Sequence, residues 1–272
     1  MVCQGDILIS RFFKRIRRAV WTWRQPLTHH PVLANAPISD LFVWRSSPDW
    51  QTFFELIDIS SLFEDEAFPR HVTFLFFDGE GNRILERKVN LQANRRQTLD
   101  ISSMVGRDHG AMGTFAVFHP KAPAAVSQLG SFLAERGYVS YCYLDAPLRT
   151  YVHGNFDAVA QKPDSGLQYL GGASFLRRQY RLQHELLPGV VYEIGLVNST
   201  GTSKIFTCKL ISVPTGRIIG QDVQNVAPGG VQIVSVPVGE SGSVSLVIES
   251  RLVMARPIVF RIQNLKMDVF HG

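Results

Sequence analysis

The chain has 272 residues, of which 45% are hydrophobic and 19% charged, a globular composition whose length suits two domains of average size. No stretch approaches the roughly 20 apolar residues of a membrane span. The net charge of +5 lies wholly in residues 1–24, where Arg11, Lys14, Arg15, Arg17, Arg18 and Arg24 face Asp6 alone; the balanced remainder argues against a nucleic-acid-binding body.

The N-terminal run predicts a helix. Leu8, Ile9, Phe12, Phe13, Ile16, Val20 and Trp23 recur at three- and four-residue spacing and gather on one face. Arg11, Lys14, Arg15, Arg17 and Arg18 fall opposite, and Pro26 ends the pattern. Residues 1–25 are therefore expected to form a basic amphipathic helix. Phe12, Phe13, Lys14, Arg15, Ile16, Arg17, Arg18 and Trp23 would meet an anionic membrane surface. Packing on the body of the protein, and a transit peptide, remain open for the same segment. No secretory apolar core of roughly 7–15 residues follows the N-terminal charge. Cys3, Cys142 and Cys208 are odd in number and far apart, so a reducing, cytoplasmic compartment is expected.

Strand patterns follow, rich in Val, Ile, Phe, Tyr and Thr. The first set runs through DLFVW (40–44), QTFFELIDI (51–59), HVTFLFFD (71–78), RILERKVNL (83–91), RQTLDIS (96–102), GTFAVFH (113–119), GYVSYCYLD (137–145) and LRTYVHG (148–154). GEGN between the third and fourth runs reads as a hairpin turn. The second set repeats the order with VVYEIGLVN (190–198), KIFTCKLISV (204–213), RIIGQDVQNV (217–226), GVQIVSVP (230–237), GSVSLVIES (242–250), RPIVFRI (256–262) and KMDVFHG (266–272). Arg83 pairs with Arg217, His119 with Glu249 and His153 with His271. Residues 121–136 carry helix formers and read as an insertion in the first copy.

The fold expected is all-β, with two tandem antiparallel β-sandwiches (Ig-like or jelly-roll-like) behind the N-terminal helix. The first sandwich would span 26–160 and the second 175–272. Residues 161–174, punctuated by Pro, Gly and Ser, would link them.

Chemistry is sparse. His153 and His271 end equivalent strands, and no third ligand recurs with them, so no metal site is expected. His29 and His30 are adjacent on an extended chain and point apart. FFDGEGNR lacks the further acid of a calcium loop. No nucleophile elbow, phosphate loop, HExxH or CxxC is present, and no cofactor is expected. Trp44 and Trp50 read as caps on the sandwich. The densest polar cluster holds Asp145, Arg149, Tyr151, His153 and Asn155, with Arg149, Tyr151 and His153 on one face of a strand. That face would bind a polar ligand.

The function expected is non-enzymatic binding or scaffolding, of a glycan or protein partner at a cytoplasmic membrane face. Two alternatives stay open: an enzyme whose polar site is built on Asp145, Arg149 and His153, and a homo-oligomeric structural subunit.

Overall fold

The computed structural model describes residues 36–58, 70–92, 95–120, 134–135, 137–154, 158–162, 166–239, 242–253 and 256–272. The expected helix of residues 1–25, with its membrane-facing set from Phe12 to Trp23, lies outside them, as do residues 121–133 and Asn155.

The described strands form five four-stranded sheets. Sheet I joins β12 (Leu167–Tyr169), β11 (Val159–Gln161), β1 (Ile38–Ser39) and β8 (Ala134–Glu135) in that order. Sheet II runs β2 (Phe42–Arg45), β7 (Met112–Phe118), β4 (His71–Asp78), β5 (Arg83–Asn90). Sheet III runs β10 (Thr150–His153), β9 (Tyr138–Tyr143), β3 (Trp50–Ile57), β6 (Arg96–Asp100). Sheet IV runs β17 (Val231–Pro237), β14 (Val191–Val197), β19 (Ile258–Gln263), β20 (Lys266–His271). Sheet V runs β13 (Ala173–Arg181), β18 (Val244–Leu252), β15 (Lys204–Ser212), β16 (Ile218–Val226). Pairing is antiparallel except between β1 and β8.

The strand order of sheet III matches that of sheet IV under the duplication read from the sequence: β10, β9, β3 and β6 correspond to β20, β19, β14 and β17. Sheets II and V correspond in the same way. The hairpin at GEGN joins β4 to β5 as expected. RQTLDIS departs from the pattern at its end, where Asp100 stops β6 and caps a short helix, α1 (Ile101–Val105), by accepting from the Ser103 N–H at 2.9 Å.

Packing overturns the expectation of two separate sandwiches. A sandwich buries one face of each sheet. Sheets II and IV bury both. In β4, Val72, Phe74 and Phe76 enter one apolar cluster, while Leu75 and Phe77 enter another with Val159 of sheet I. In sheet IV, Phe260 and Val269 join the cluster built on Trp44, Phe54, Phe115 and Tyr141. Tyr192, Ile194, Leu196 and Val259 of the same sheet turn to Phe206 and Ile248 of sheet V. Phe260 stands edge-on to Tyr141 at 4.9 Å and to Trp50 at 5.2 Å, so one continuous core crosses both halves. The two tandem sandwiches are thus corrected to five four-stranded sheets, the architecture of a five-bladed β-propeller. Each blade combines a hairpin of two consecutive strands with strands that are not their neighbours in sequence. Residues 161–174, read as a linker, carry β12, which pairs through β11 with β1 in sheet I. Trp44 and Trp50 are core residues.

Candidate functional site

Sheet III turns Phe54, Leu56, Val139, Tyr141 and Val152 into the core. Successive side chains on a strand alternate, so its other face presents the intervening residues. The register fixes their neighbours. Tyr151 lies opposite Ser140, which lies opposite Phe53. His153 lies opposite Tyr138, then Glu55, then Thr98. The polar cluster read from one strand is therefore one edge of an aromatic face that three other strands complete.

The contacts on this face are specific. The Arg149 guanidinium sits 3.5 Å from the centroid of the Phe53 ring, a cation–π contact. Tyr138 and His153 meet edge to face with centroids 6.2 Å apart. Glu55 accepts from the Thr98 hydroxyl at 2.9 Å and pairs with Arg96 at 3.2 Å. Tyr138 and Tyr151 are 54% and 49% exposed, large fractions for aromatic side chains on a sheet. The Ser140 hydroxyl, buried between Tyr151 and Phe53 in register, has no partner among the described residues. Asp145 is exposed in the β9–β10 turn, where both Leu144 and Asp145 have positive φ. Asn155 lies outside the described residues.

On the core side of the same sheet, where sheets II, III and IV meet, lies a pocket of about 60 Å³ whose lining includes Val139 and Val152. Asp40, His153, Arg256 and His271 supply its polar lining. A cavity of this size has room for a few waters. The paired His-Gly endings meet here. His271 donates from Nε2 to the carbonyl oxygen of His153 at 2.7 Å, and His153 bonds through Nδ1 to the carbonyl oxygen of Gly154 at 2.5 Å. Burial pulls the His271 pKa below the usual imidazole range; its bond to the His153 carbonyl opposes this, and the nearby charges of His153 and Arg256 add to it.

The residues of the enzyme alternative do not converge. Asp145 is in the exposed turn, Arg149 stacks on Phe53, and His153 is engaged at the seam with β20. His119 is buried elsewhere against Glu135, Nε2 to Oε2 at 2.5 Å, and Glu135 also accepts from the Gly137 N–H at 2.6 Å. Among the described residues no group of three His, Cys, Asp or Glu could hold a metal ion. Cys142 and Cys208 are free, and burial pushes the Cys208 thiol up to about 12, with the charge of Asp222 contributing.

Alternation along one strand is enough to group Arg149, Tyr151 and His153 from the sequence. Phe53, Tyr138 and Ser140 join that face only through cross-strand register, which the sequence of one strand does not carry. No family model, curated protein or solved structure matches the chain.

Proposed function

We propose that this chain is a non-enzymatic binding protein and that the outer face of sheet III holds a glycan. β-Propellers commonly serve as binding or scaffolding domains, a fold-level analogy; the residues of sheet III make the reading specific. The observation that carries it is the pair of half-exposed rings, Tyr151 and Tyr138, in adjacent rows of the outer face, with Arg149 lying over Phe53 in the same sheet. The C–H face of a sugar ring is apolar and stacks on exposed aromatic rings through dispersion. Its hydroxyls both donate and accept, and Arg149, His153 and the tyrosine hydroxyls offer both kinds of partner. An open aromatic face admits a chain of sugars, which a 60 Å³ pocket does not.

The basic segment 1–25 is, on this reading, a second contact that holds the protein at a membrane surface. Screening the full chain on a glycan array, followed by titration calorimetry with the best ligand, tests the glycan reading. A hit whose binding is lost in Tyr151→Ala supports it. Absence of any hit, or a hit indifferent to Tyr151 and Tyr138, rejects it.

A further inference from the structure

We infer that the outer face of sheet V docks on an anionic membrane surface, with Phe175 and Leu176 entering the headgroup layer. This contact is separate from the glycan face and does not rest on it.

The inner face of sheet V is settled by its core. Phe206, Cys208, Leu246 and Ile248 are buried together, so Thr207, Lys209, Val247 and Glu249 turn outward. Register places Gln179 and Thr207 on either side of Glu249, and Arg181 and Lys209 on either side of Val247. Glu249 accepts from Lys209 at 2.7 Å and from Gln179 at 2.8 Å, which confirms that the three share this face. Lys209 and Gln179 hold the Glu249 carboxyl below its usual range, and the charge of Arg177 adds to the effect. Arg251 follows Glu249 on the same side of β18 and is exposed. Four cations, Arg177, Arg181, Lys209 and Arg251, thus surround the carboxylate of Glu249, a local excess of positive charge on a body that as a whole is charge-balanced.

The apolar component comes from a bulge. Ala173 pairs with Leu252 and Arg178 with Ser250, so β13 spends residues 174–177 where β18 spends Arg251 alone. Adjacent residues of a regular strand point to opposite faces; a bulge re-aims them. Phe175 and Leu176 are consecutive and yet 78% and 68% exposed. Ile205 and Val223, each 55% exposed, continue the apolar surface among the cations. Aromatic and aliphatic tips interleaved with arginines match the interface of an anionic bilayer. A second copy of the chain would bring like charges together. A single-stranded nucleic acid would need several stacking rings, and among the described residues this face offers Phe175 alone.

The test is co-sedimentation of the full chain with phosphatidylcholine vesicles, with and without phosphatidylglycerol. The wild type is expected to bind the anionic vesicles, and salt weakens that binding. Phe175→Ser with Leu176→Ser, and separately Arg181→Glu with Arg251→Glu, should each weaken it by about tenfold or more, with thermal melts unchanged. A Leu176→Trp variant should gain fluorescence, over the wild type, that bromine-labelled acyl chains quench. Wild-type affinity in both double variants would place attachment elsewhere and overturn the proposal. Failure of the wild type to bind anionic vesicles, an unquenched Leu176→Trp, or retention on a soluble acidic polysaccharide in place of vesicles would overturn it too.

Discussion

His271 hydrogen-bonds through Nε2 to the carbonyl oxygen of His153 at 2.7 Å, and the two imidazole centroids lie 5.1 Å apart. These residues are the equivalent ends of the duplicated unit, so the bond ties the last strand of one copy to the last strand of the other. It has a consequence for acid stability. A histidine whose pKa is lower in the folded state than in the unfolded chain binds its proton more readily when unfolded. Its stabilising effect is complete above the unfolded value, about 6.5, and is lost as pH falls from there through the depressed folded value. The thermal midpoint of the wild type is expected to fall across that window. His271→Gln keeps an N–H donor for the His153 carbonyl but has no proton to take up, and its midpoint should fall less steeply. Melts from pH 8 to pH 5 on both proteins decide; parallel curves would contradict the assignment to His271.

Arg45 and Glu193 test the continuity of the core. Arg45 closes β2 and Glu193 sits in β14, and their side chains form an ion pair with only 13% and 20% exposure. The guanidinium also lies 3.5 Å from the Trp50 ring centroid. Burial pulls Arg45 down from its ordinary pKa while Glu193 opposes the shift. Glu193→Ala leaves that cation buried without its partner, an expected loss of about 3 kcal/mol. Replacing both, as Arg45→Met with Glu193→Leu, should recover most of it, because well-packed apolar residues often substitute for a buried pair without loss. Denaturant titration gives both values. A single transition shifted as a whole is expected, since the pair bridges the halves; two separated transitions would show that the halves unfold independently.

The same pair shows why the strands were legible and their stacking was not. Runs rich in branched and aromatic residues in HVTFLFFD and VVYEIGLVN located β4 and β14, and the repeated order of strands matches the equivalent strand orders of sheets III and IV. In β14, however, Glu193 and Gly195 look like a solvated face. Glu193 is neutralised by Arg45, a residue 148 positions away. At Gly195 a Cβ would come within 2.4 Å of the Ile258 side chain, so the missing side chain makes room for a neighbour. The apparent linker misleads in the same way: Gly171 donates to the Ser199 carbonyl at 2.9 Å, and a Cβ there would lie 2.2 Å from the Ser199 hydroxyl. Composition does not separate a glycine of close packing from a glycine of a flexible chain.

Two hairpins that correspond under the duplication offer a controlled comparison. Gly81 has φ +78, and a Cβ on it would meet the carbonyl oxygen of Pro228 at 2.1 Å. Next to it the Val231 N–H donates to the carbonyl oxygen of Gly79 at 3.0 Å, joining the halves. Gly216 has φ +66 but nothing within 4 Å of its Cβ position. Gly216→Ala should cost only the backbone strain, about 1 kcal/mol. Gly81→Ala must also push apart two backbones, and a loss at least twice as large is expected. Equal losses in chemical denaturation would mean that the Gly79–Gly81 turn does not bear on the second half.

The outer face of sheet III, proposed to hold a glycan, makes the sharpest functional prediction, because its residues differ in what they support. Tyr138 and Tyr151 are about half exposed and reach their neighbours mainly over the surface of sheet III. Tyr151→Ala and Tyr138→Ala should leave the thermal midpoint nearly unchanged, as surface substitutions away from the core do. Each should weaken glycan binding about tenfold, the equivalent of roughly 1.4 kcal/mol of lost stacking. Tyr151→Phe keeps the ring and should retain most of the affinity, while Arg149→Ala uncovers Phe53 and removes a donor at once. Calorimetry on these four variants separates stacking from hydrogen bonding. If Tyr151→Phe loses as much as Tyr151→Ala, the hydroxyl rather than the ring holds the ligand, and the stacking mechanism proposed for this face is wrong.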